Sequence, residues 1–275
     1  MFKETSAPPG AISAERAAYL AARRRRDILV RVCQISALIL LVGAWEISAR
    51  LGIIDSFIMS SPSRIWRTLA NFRSNELFLH VGVTCFETLV GFGLGALLGN
   101  ALALMLWWSD FLARVATPYL VVLNALPKIA LGPVIIVWVG AGMQAIIVTA
   151  LAISLIVTVL EMLGGFVSTD RELIKMARTF GASRWQTFVK IIYPSNLHTL
   201  FGSLKINIGL SLVGVIAGEF LVSRAGLGYL IIYGGQVFQM DLVMTSVLLL
   251  GVLASLLYGG VVLVEKAVMK AVSQR

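Results

Sequence analysis

The chain has 275 residues, 58% of them hydrophobic and 13% charged, with a mean hydropathy of +0.89. Soluble domains carry about a quarter of their residues as charges, which excludes a sizeable soluble catalytic or nucleic-acid-binding domain. The net charge of +9 sits largely beside apolar runs, where basic side chains set topology and anchor to lipid.

A membrane span needs about 20 mostly apolar residues. The stretches 28–49, 80–107, 115–139, 143–166, 197–222 and 242–264 meet that length. Alternating barrel-type strand patterns are absent, so the expected fold is an all-α integral membrane bundle of about six transmembrane helices. Ahead of the first span, a polar tail (1–27) with Pro8, Pro9 and Gly10 reads as partly disordered or as a short surface helix. The remainder, 28–275, reads as one transmembrane domain. The first apolar run is longer than the roughly 7–15 residues of a signal peptide. Cys33 and Cys85 are lone thiols in expected spans and read as packing residues.

Between the first two spans, 61–72 reads as an amphipathic helix at the outer interface. The second span carries Gly91, Gly95, Gly99 and Ala103 at four-residue spacing. Such a bare face permits close helix approach, either as static packing or as a sliding seam. Glu87 lies deep in the same span. The third span holds Pro118, Pro127 and Pro133 and is expected to kink or break. A charge at membrane depth is costly, so Glu87, Asn124 and Lys128 are candidates for the translocation path, with structural polar contacts as the alternative. Glu46, Glu161 and Glu219 fall nearer span ends, and Lys205 is placed to snorkel to the interface. His80 and His198 lie at opposite span ends, which excludes a shared metal site.

The insert 169–194 is the charged exception among the later apolar runs. Thr169 with Glu172, and Ser183 with Gln186, have capping-box spacing. Leu173, Met176, Ala177 and Phe180 form one apolar stripe, and Trp185, Phe188, Val189 and Ile192 a second. Gly181 is placed to end the first helix and Pro194 the second. The expectation is two short helices with a bend, basic side chains solvated.

An inside N-terminus places Lys3, Arg16, Arg23, Arg24, Arg25, Arg26 and Arg31 on the cytoplasmic side. Arg114, the insert's Arg171, Lys175, Arg178, Arg184 and Lys190, and the tail's Lys266, Lys270 and Arg275 join them. Arg50, Arg64, Arg67, Arg73 and Arg224 remain outside. This arrangement satisfies the positive-inside rule and puts the insert in the cytoplasm. No Lys is followed by Ser or Thr, so a Gly-x-x-x-x-Gly-Lys-Ser/Thr phosphate loop is excluded. Zinc-protease and Gly-x-Ser-x-Gly motifs are also absent, and the chain does not read as an enzyme.

The insert resembles the cytoplasmic EAA loop of ABC-importer permeases, whose pattern is Glu-Ala-Ala-x-x-x-Gly followed by Ile-x-Leu-Pro. Ala177, Gly181, Ile191 and Pro194 keep the pattern; Lys175, Met176 and Tyr193 depart from it. The string from Leu126 to Gly140, together with Ser61-Pro62, Thr88–Gly99 and Gly226-Leu227-Gly228, is similar to the nitrate/sulfonate/taurine branch of these permeases. The resemblance implies a type I ABC importer permease fold in a bacterial inner membrane. It further implies an ATPase dimer as partner, a second permease copy and an extracytoplasmic binding protein. ATP and Mg would then belong to the ATPase, with no cofactor on this chain. By the same resemblance Glu172, Leu173, Lys175, Met176, Ala177, Phe180, Gly181, Ala182, Trp185, Phe188, Ile191 and Pro194 couple to the ATPase. The implied cargo is a small anionic or polar organic solute, with pyrimidine or vitamin precursors as the alternative. An ion-gradient-driven secondary transporter using Glu87 as a proton site is the reading from another class. An interfacial amphipathic helix on lipid is the alternative for the insert itself.

Overall fold

The computed structural model describes residues 14–71 and 76–273. The first part of the expected tail, Arg73 and Arg275 lie outside the described residues. The chain divides into two compact units, Met1–Arg64 and Ile65–Arg275.

In the first unit, α1 (Ala14–Arg50) is one continuous helix. The part of the tail from Ala14 onward is therefore neither disordered nor a separate surface helix: its Ala- and Arg-rich run has high helix propensity and joins the first span without a breaker. At the end of α1, Glu46 accepts from Arg50 Nε at 2.7 Å and from the Ser63 N–H at 3.0 Å. The short α2 (Ser56–Met59) is capped by Asp55, which accepts from the Phe57 N–H at 2.8 Å. The expected amphipathic segment is helical as α3 (Pro62–Ala70).

The second unit contains α4 (Leu77–Trp108), α5 (Asp110–Ala125), α6 (Gly132–Val139), α7 (Met143–Ser168), α8 (Arg171–Thr179), α9 (Arg184–Thr187), α10 (Tyr193–Ser195), α11 (Leu197–Val222), α12 (Leu227–Gln236) and α13 (Met240–Ser273). Among the described residues, five helices are long and apolar enough to cross a membrane. The third span is broken, as its prolines predict: α5 and the segment Lys128–Val139 meet at 88°. Of its three prolines only Pro127 makes the break. It forces Leu126 into an extended conformation with ψ 140° and removes a donor where α5 would continue. Pro118 is carried inside α5, and Pro133 sits in the first turn of α6, where a missing N–H costs little.

Helix α7 is the centre of this unit, with α4 and α11 packed against it. A Cβ on Gly91 would lie 2.7 Å from Ala150 Cβ, and one on Gly99 2.6 Å from Thr158 Cβ. Gly214 approaches Ala150 Cα from the α11 side to 2.7 Å on the same measure. These interlocked small residues form a close-packed seam. The buried hydroxyls on α7 are satisfied locally: Thr149 donates to the Ala145 carbonyl at 2.8 Å and Thr158 to that of Ser154 at 2.9 Å. Asn207 Nδ2 of α11 then donates to Thr158 Oγ1 at 2.9 Å. The Lys205 ammonium pairs with Glu265 of α13 at 2.6 Å, just past the end of the last expected span (242–264), so its reach towards the span end meets a counter-charge.

Candidate functional site

The insert folds as a bent pair of short helices, and each end of the bend has a local cause. Helix α8 begins at Asp170, whose carboxylate accepts from the Glu172 N–H at 2.8 Å. The expected Thr169–Glu172 capping box is thus not formed, and the N-cap lies one residue later. Thr169 Oγ1 instead donates to the Gly165 carbonyl at 3.3 Å and accepts from Asn196 Nδ2 at 2.8 Å. Gly181 ends α8 at φ +79°, with its N–H donating to the Arg178 carbonyl at 2.9 Å and that of Ala182 to Ala177 at 3.0 Å. This Schellman geometry needs a residue without Cβ strain in the left-handed region. Ser183 and Gln186 form the complete capping box that opens α9. Pro194 does not stop the second helix. A π-helical turn over Phe188–Ile192 precedes it, and Pro194 enters in the first turn of α10, where its absent donor is tolerated.

The loop presents an outer and an inner face. Phe180 is 83% exposed, and Leu173, Met176 and Trp185 are exposed with it; Glu172, Lys175, Gly181 and Pro194 are also at the surface. Ala177 and Phe188 are buried against the bundle, and Ile191 and Ala182 are half-buried. Of the twelve candidate coupling residues, Ala177 and Phe188 are thus turned inward and the other ten reach the surface at least in part. The Phe188 ring packs at 5.2 Å from Trp107 and 5.3 Å from Phe166, so it fastens the loop to α4 and α7.

Sequence reasoning missed the other fastenings. The Arg184 guanidinium lies 5.4 Å from the Trp107 ring centre and 5.1 Å from that of Trp108, and Nη2 donates to the Trp107 carbonyl at 3.4 Å. It thus places a cation over two aromatic faces at the C-terminus of α4, where the helix dipole also favours it. Asn196 donates from Nδ2 both to Thr169 Oγ1 and to the Ile192 carbonyl, each at 2.8 Å. It closes the insert where the chain leaves α7 and enters α11. Gly165 makes room for it: a Cβ there would meet Asn196 Oδ1 at 2.6 Å.

At the other end of α11 a buried polar centre gathers His80, Thr84 and Glu87 of α4, Glu219 of α11 and the start of α12. Thr84 Oγ1 donates to Glu219 Oε1 at 2.7 Å and accepts from the Leu227 N–H at 2.8 Å. Glu219 Oε2 accepts from the Gly228 N–H, and His80 Nδ1 accepts from the Gly226 N–H at 2.9 Å. The first turn of α12 therefore sets its free N–H groups on a carboxyl and an imidazole, the preferred use of a helix N-terminus. Gly226 has φ +118°, and a Cβ on Gly228 would come within 2.7 Å of Glu219 Oε2. Glycine is required at both positions. Glu87, one turn beyond Thr84 on α4, is almost fully buried. Glu87 Oε2 is buried without a donor among the described residues.

The three translocation candidates are not brought together in one cluster. Lys128 Nζ donates to Asn124 Oδ1 at 3.1 Å and to its carbonyl at 3.0 Å; Asn124 is exposed and Lys128 half-buried. Glu87 belongs to the separate buried centre. Two cavities adjoin that centre. One of about 360 Å³ is lined by Glu87, Gly142, Met143, Ser223 and Arg224. The other, about 440 Å³, is lined by Glu76, His80, Arg224, Tyr229, Tyr233 and Gln239. Rings of His80 and Tyr229 stack at 5.8 Å, and those of Tyr229 and Tyr233 at 5.9 Å. Among the described residues no group of His, Cys, Asp or Glu is arranged to hold a metal.

Residues 91–275 match the family model described as binding-protein-dependent transport system inner membrane component. The chain belongs to that family. It is 30% identical to the riboflavin transport system permease protein RibX of Chloroflexus aurantiacus, over 80% of this chain and 83% of the relative. Identity to the formylaminopyrimidine transport permease protein ThiX of Halalkalibacterium halodurans is 29%, over 70% of this chain and 76% of the relative. The taurine transport system permease protein TauC of Escherichia coli is 22% identical over 81% and 83% of the two chains. Among solved structures, the MetNI methionine ABC transporter in an inward-facing conformation superposes with a TM-score of 0.63. That superposition covers 70% of this permease and 98% of the MetNI chain, at 21% identity. The permease is thus a multi-pass membrane subunit of an ABC importer with the type I fold, and ATP hydrolysis is the work of a separate subunit.

Proposed function

We propose that the permease works as a homodimer in the bacterial inner membrane, with both termini and the insert 169–194 in the cytoplasm, and that the exposed face of the insert docks into the ATPase. The observation that carries this reading is the exposed apolar row of Leu173, Met176, Phe180 and Trp185 on a loop otherwise fastened to three helices. A surface row of this kind marks an interaction site, and its rigid attachment lets force on the loop reach α4, α7 and α11. Coupling then follows from differential docking: closure of the nucleotide subunits favours one arrangement of the bundle over the other. A binding protein delivers solute to the outer face. A single cysteine at Phe180 should crosslink to the ATPase in the assembled transporter, and one at Phe188 should not, because that side chain faces inward. Equal crosslinking from both positions would refute this docking face.

For the cargo we favour a small polar heteroaromatic of the vitamin-precursor kind. Its support is the outer cavity with its stacked rings of His80, Tyr229 and Tyr233, and the acceptor Glu87 in the cavity beside it. The naming of ThiX and RibX agrees with it. A sulfonate or taurine-like anion is the second reading, favoured by Arg224, which lines both cavities, and by the likeness to TauC. Uptake into vesicles carrying the complete transporter separates them: competition by an aminopyrimidine and none by an alkyl sulfonate supports the first, and the reverse supports the second.

A further inference from the structure

A third cavity, of about 500 Å³, lies beneath the ends of α4 and α7 on the face that carries the insert. Arg114, Arg171, Lys175, Arg178 and Arg184 line it against a single carboxylate, Asp110. These cations come from α5, α8 and α9, so the fold, and not sequence proximity alone, concentrates them. Among the described residues none of the five is in an ion pair. Arg184 is committed to the tryptophan faces, which leaves Arg114, Arg171, Lys175 and Arg178 around one cavity without a counter-charge beyond Asp110. Like charges gathered around one cavity disfavour one another, and an anion entering it relieves that repulsion. Topology alone asks only that basic residues lie on the inner side; it does not ask that they converge on one hollow.

We propose that this cavity is a phosphate-binding site. Guanidinium groups supply forked donors that match phosphate oxygens, and a lysine adds a point charge. The cavity is larger than one phosphate needs, and Trp107, Phe166, Val167 and Ile174 form an apolar wall beside the cations. That combination suits a phosphodiester joined to an apolar body, as in an anionic lipid headgroup at the inner leaflet, where each basic residue contributes measurable attraction. Free phosphate is the other source of the same chemistry. The site rests on the cytoplasmic placement of the insert for its biological leaflet, but binding itself does not depend on orientation or on the ATPase.

The test uses the purified full chain in nanodiscs, with bound lipid read by native mass spectrometry and thermal stability read in parallel. Discs of phosphatidylcholine alone are compared with discs containing added phosphatidylglycerol, and with phosphatidylcholine discs in inorganic phosphate at chloride-matched ionic strength. Retained phosphatidylglycerol and a raised melting temperature identify the lipid headgroup. The same stabilisation by inorganic phosphate in phosphatidylcholine discs identifies free phosphate. In either arm Arg114→Gln with Arg171→Gln should weaken binding about tenfold or more, while Lys190→Gln, outside the cavity, should leave it unchanged. Single Arg114→Gln and Arg171→Gln variants, each expected to lose part of the effect, cover the case in which the double variant does not fold. No stabilisation in either arm, or equal binding by parent and both arginine variants, overturns the proposal.

Discussion

At the scale of single residues, the buried centre around Glu219 shows how a polar cluster is made tolerable inside a membrane bundle. Its oxygens receive Thr84 and the Gly228 N–H, and Thr84 in turn receives the Leu227 N–H. Removing the carboxyl strands two donors away from water, each at roughly 1–3 kcal/mol. Glu219→Ala should therefore lower stability by about 3 kcal/mol, read as a fall in melting temperature of the detergent-purified chain. Glu87→Gln should behave oppositely. The amide keeps the shape, takes an ionisable group out of the buried interior and replaces an oxygen that has no donor among the described residues, so the melting temperature should match or exceed that of the parent. A loss as large as that of Glu219→Ala would show that the Glu87 carboxyl itself is needed for stability.

At the scale of elements, the bend between α8 and α9 and the α4–α7 seam make separate demands. Gly181 at φ +79° cannot become proline, whose ring fixes φ near about −65° and removes the N–H now bonded to Arg178. Gly181→Pro should insert into the membrane normally, because no span is touched, yet lose solute-stimulated ATP hydrolysis in the reconstituted transporter. Preserved stimulation would detach the bend from coupling. In the seam, a Cβ on Gly95 would collide with the Ser154 side chain. Gly95→Ala should cost about 1–3 kcal/mol by overpacking, and adding Ser154→Gly should recover most of it. Failure of the rescue would mean that the helices do not meet face to face there. The bend and the glycine row were legible in the sequence because capping residues and four-residue spacing are local signals. The Asn196 clamp and the Arg184 stack were not. Each joins positions far apart in the chain, and nothing in a single Asn or Arg says which distant partner it will find. The shift from Thr169 to Asp170 at the start of α8 has a similar cause: Asn196, a tertiary partner, engages Thr169 and leaves the cap to its neighbour. The centre around Glu219 was half visible, since Glu87 and the Gly226-Leu227-Gly228 string stood out while their convergence on Glu219 did not.

At the scale of the whole molecule, α11 is the element that connects the two polar assemblies. It starts directly after Asn196, the clamp of the insert, and carries Glu219 near its far end. Its 26 residues span about 39 Å at the helical rise. Asn207 and Lys205 tie it to α7 and α13, which places it to carry a displacement of the insert, under the docking proposed above, to its far end. If the centre around Glu219 is the far anchor of that rod, loosening it should weaken coupling at a distance from the ATPase. Thr84→Val keeps the shape but removes the hydroxyl that both Glu219 and Leu227 use; Thr84→Ser restores it. In proteoliposomes holding the full transporter, Thr84→Val should keep basal ATP hydrolysis and lose most of its stimulation by solute-loaded binding protein, with Thr84→Ser close to the parent. A purely structural role predicts something else: a lower melting temperature, with the ratio of stimulated to basal hydrolysis unchanged in the fraction that remains folded. Measuring that ratio below the melting transition of both variants decides whether the anchor transmits force or merely holds the corner of α11 and α12 in place.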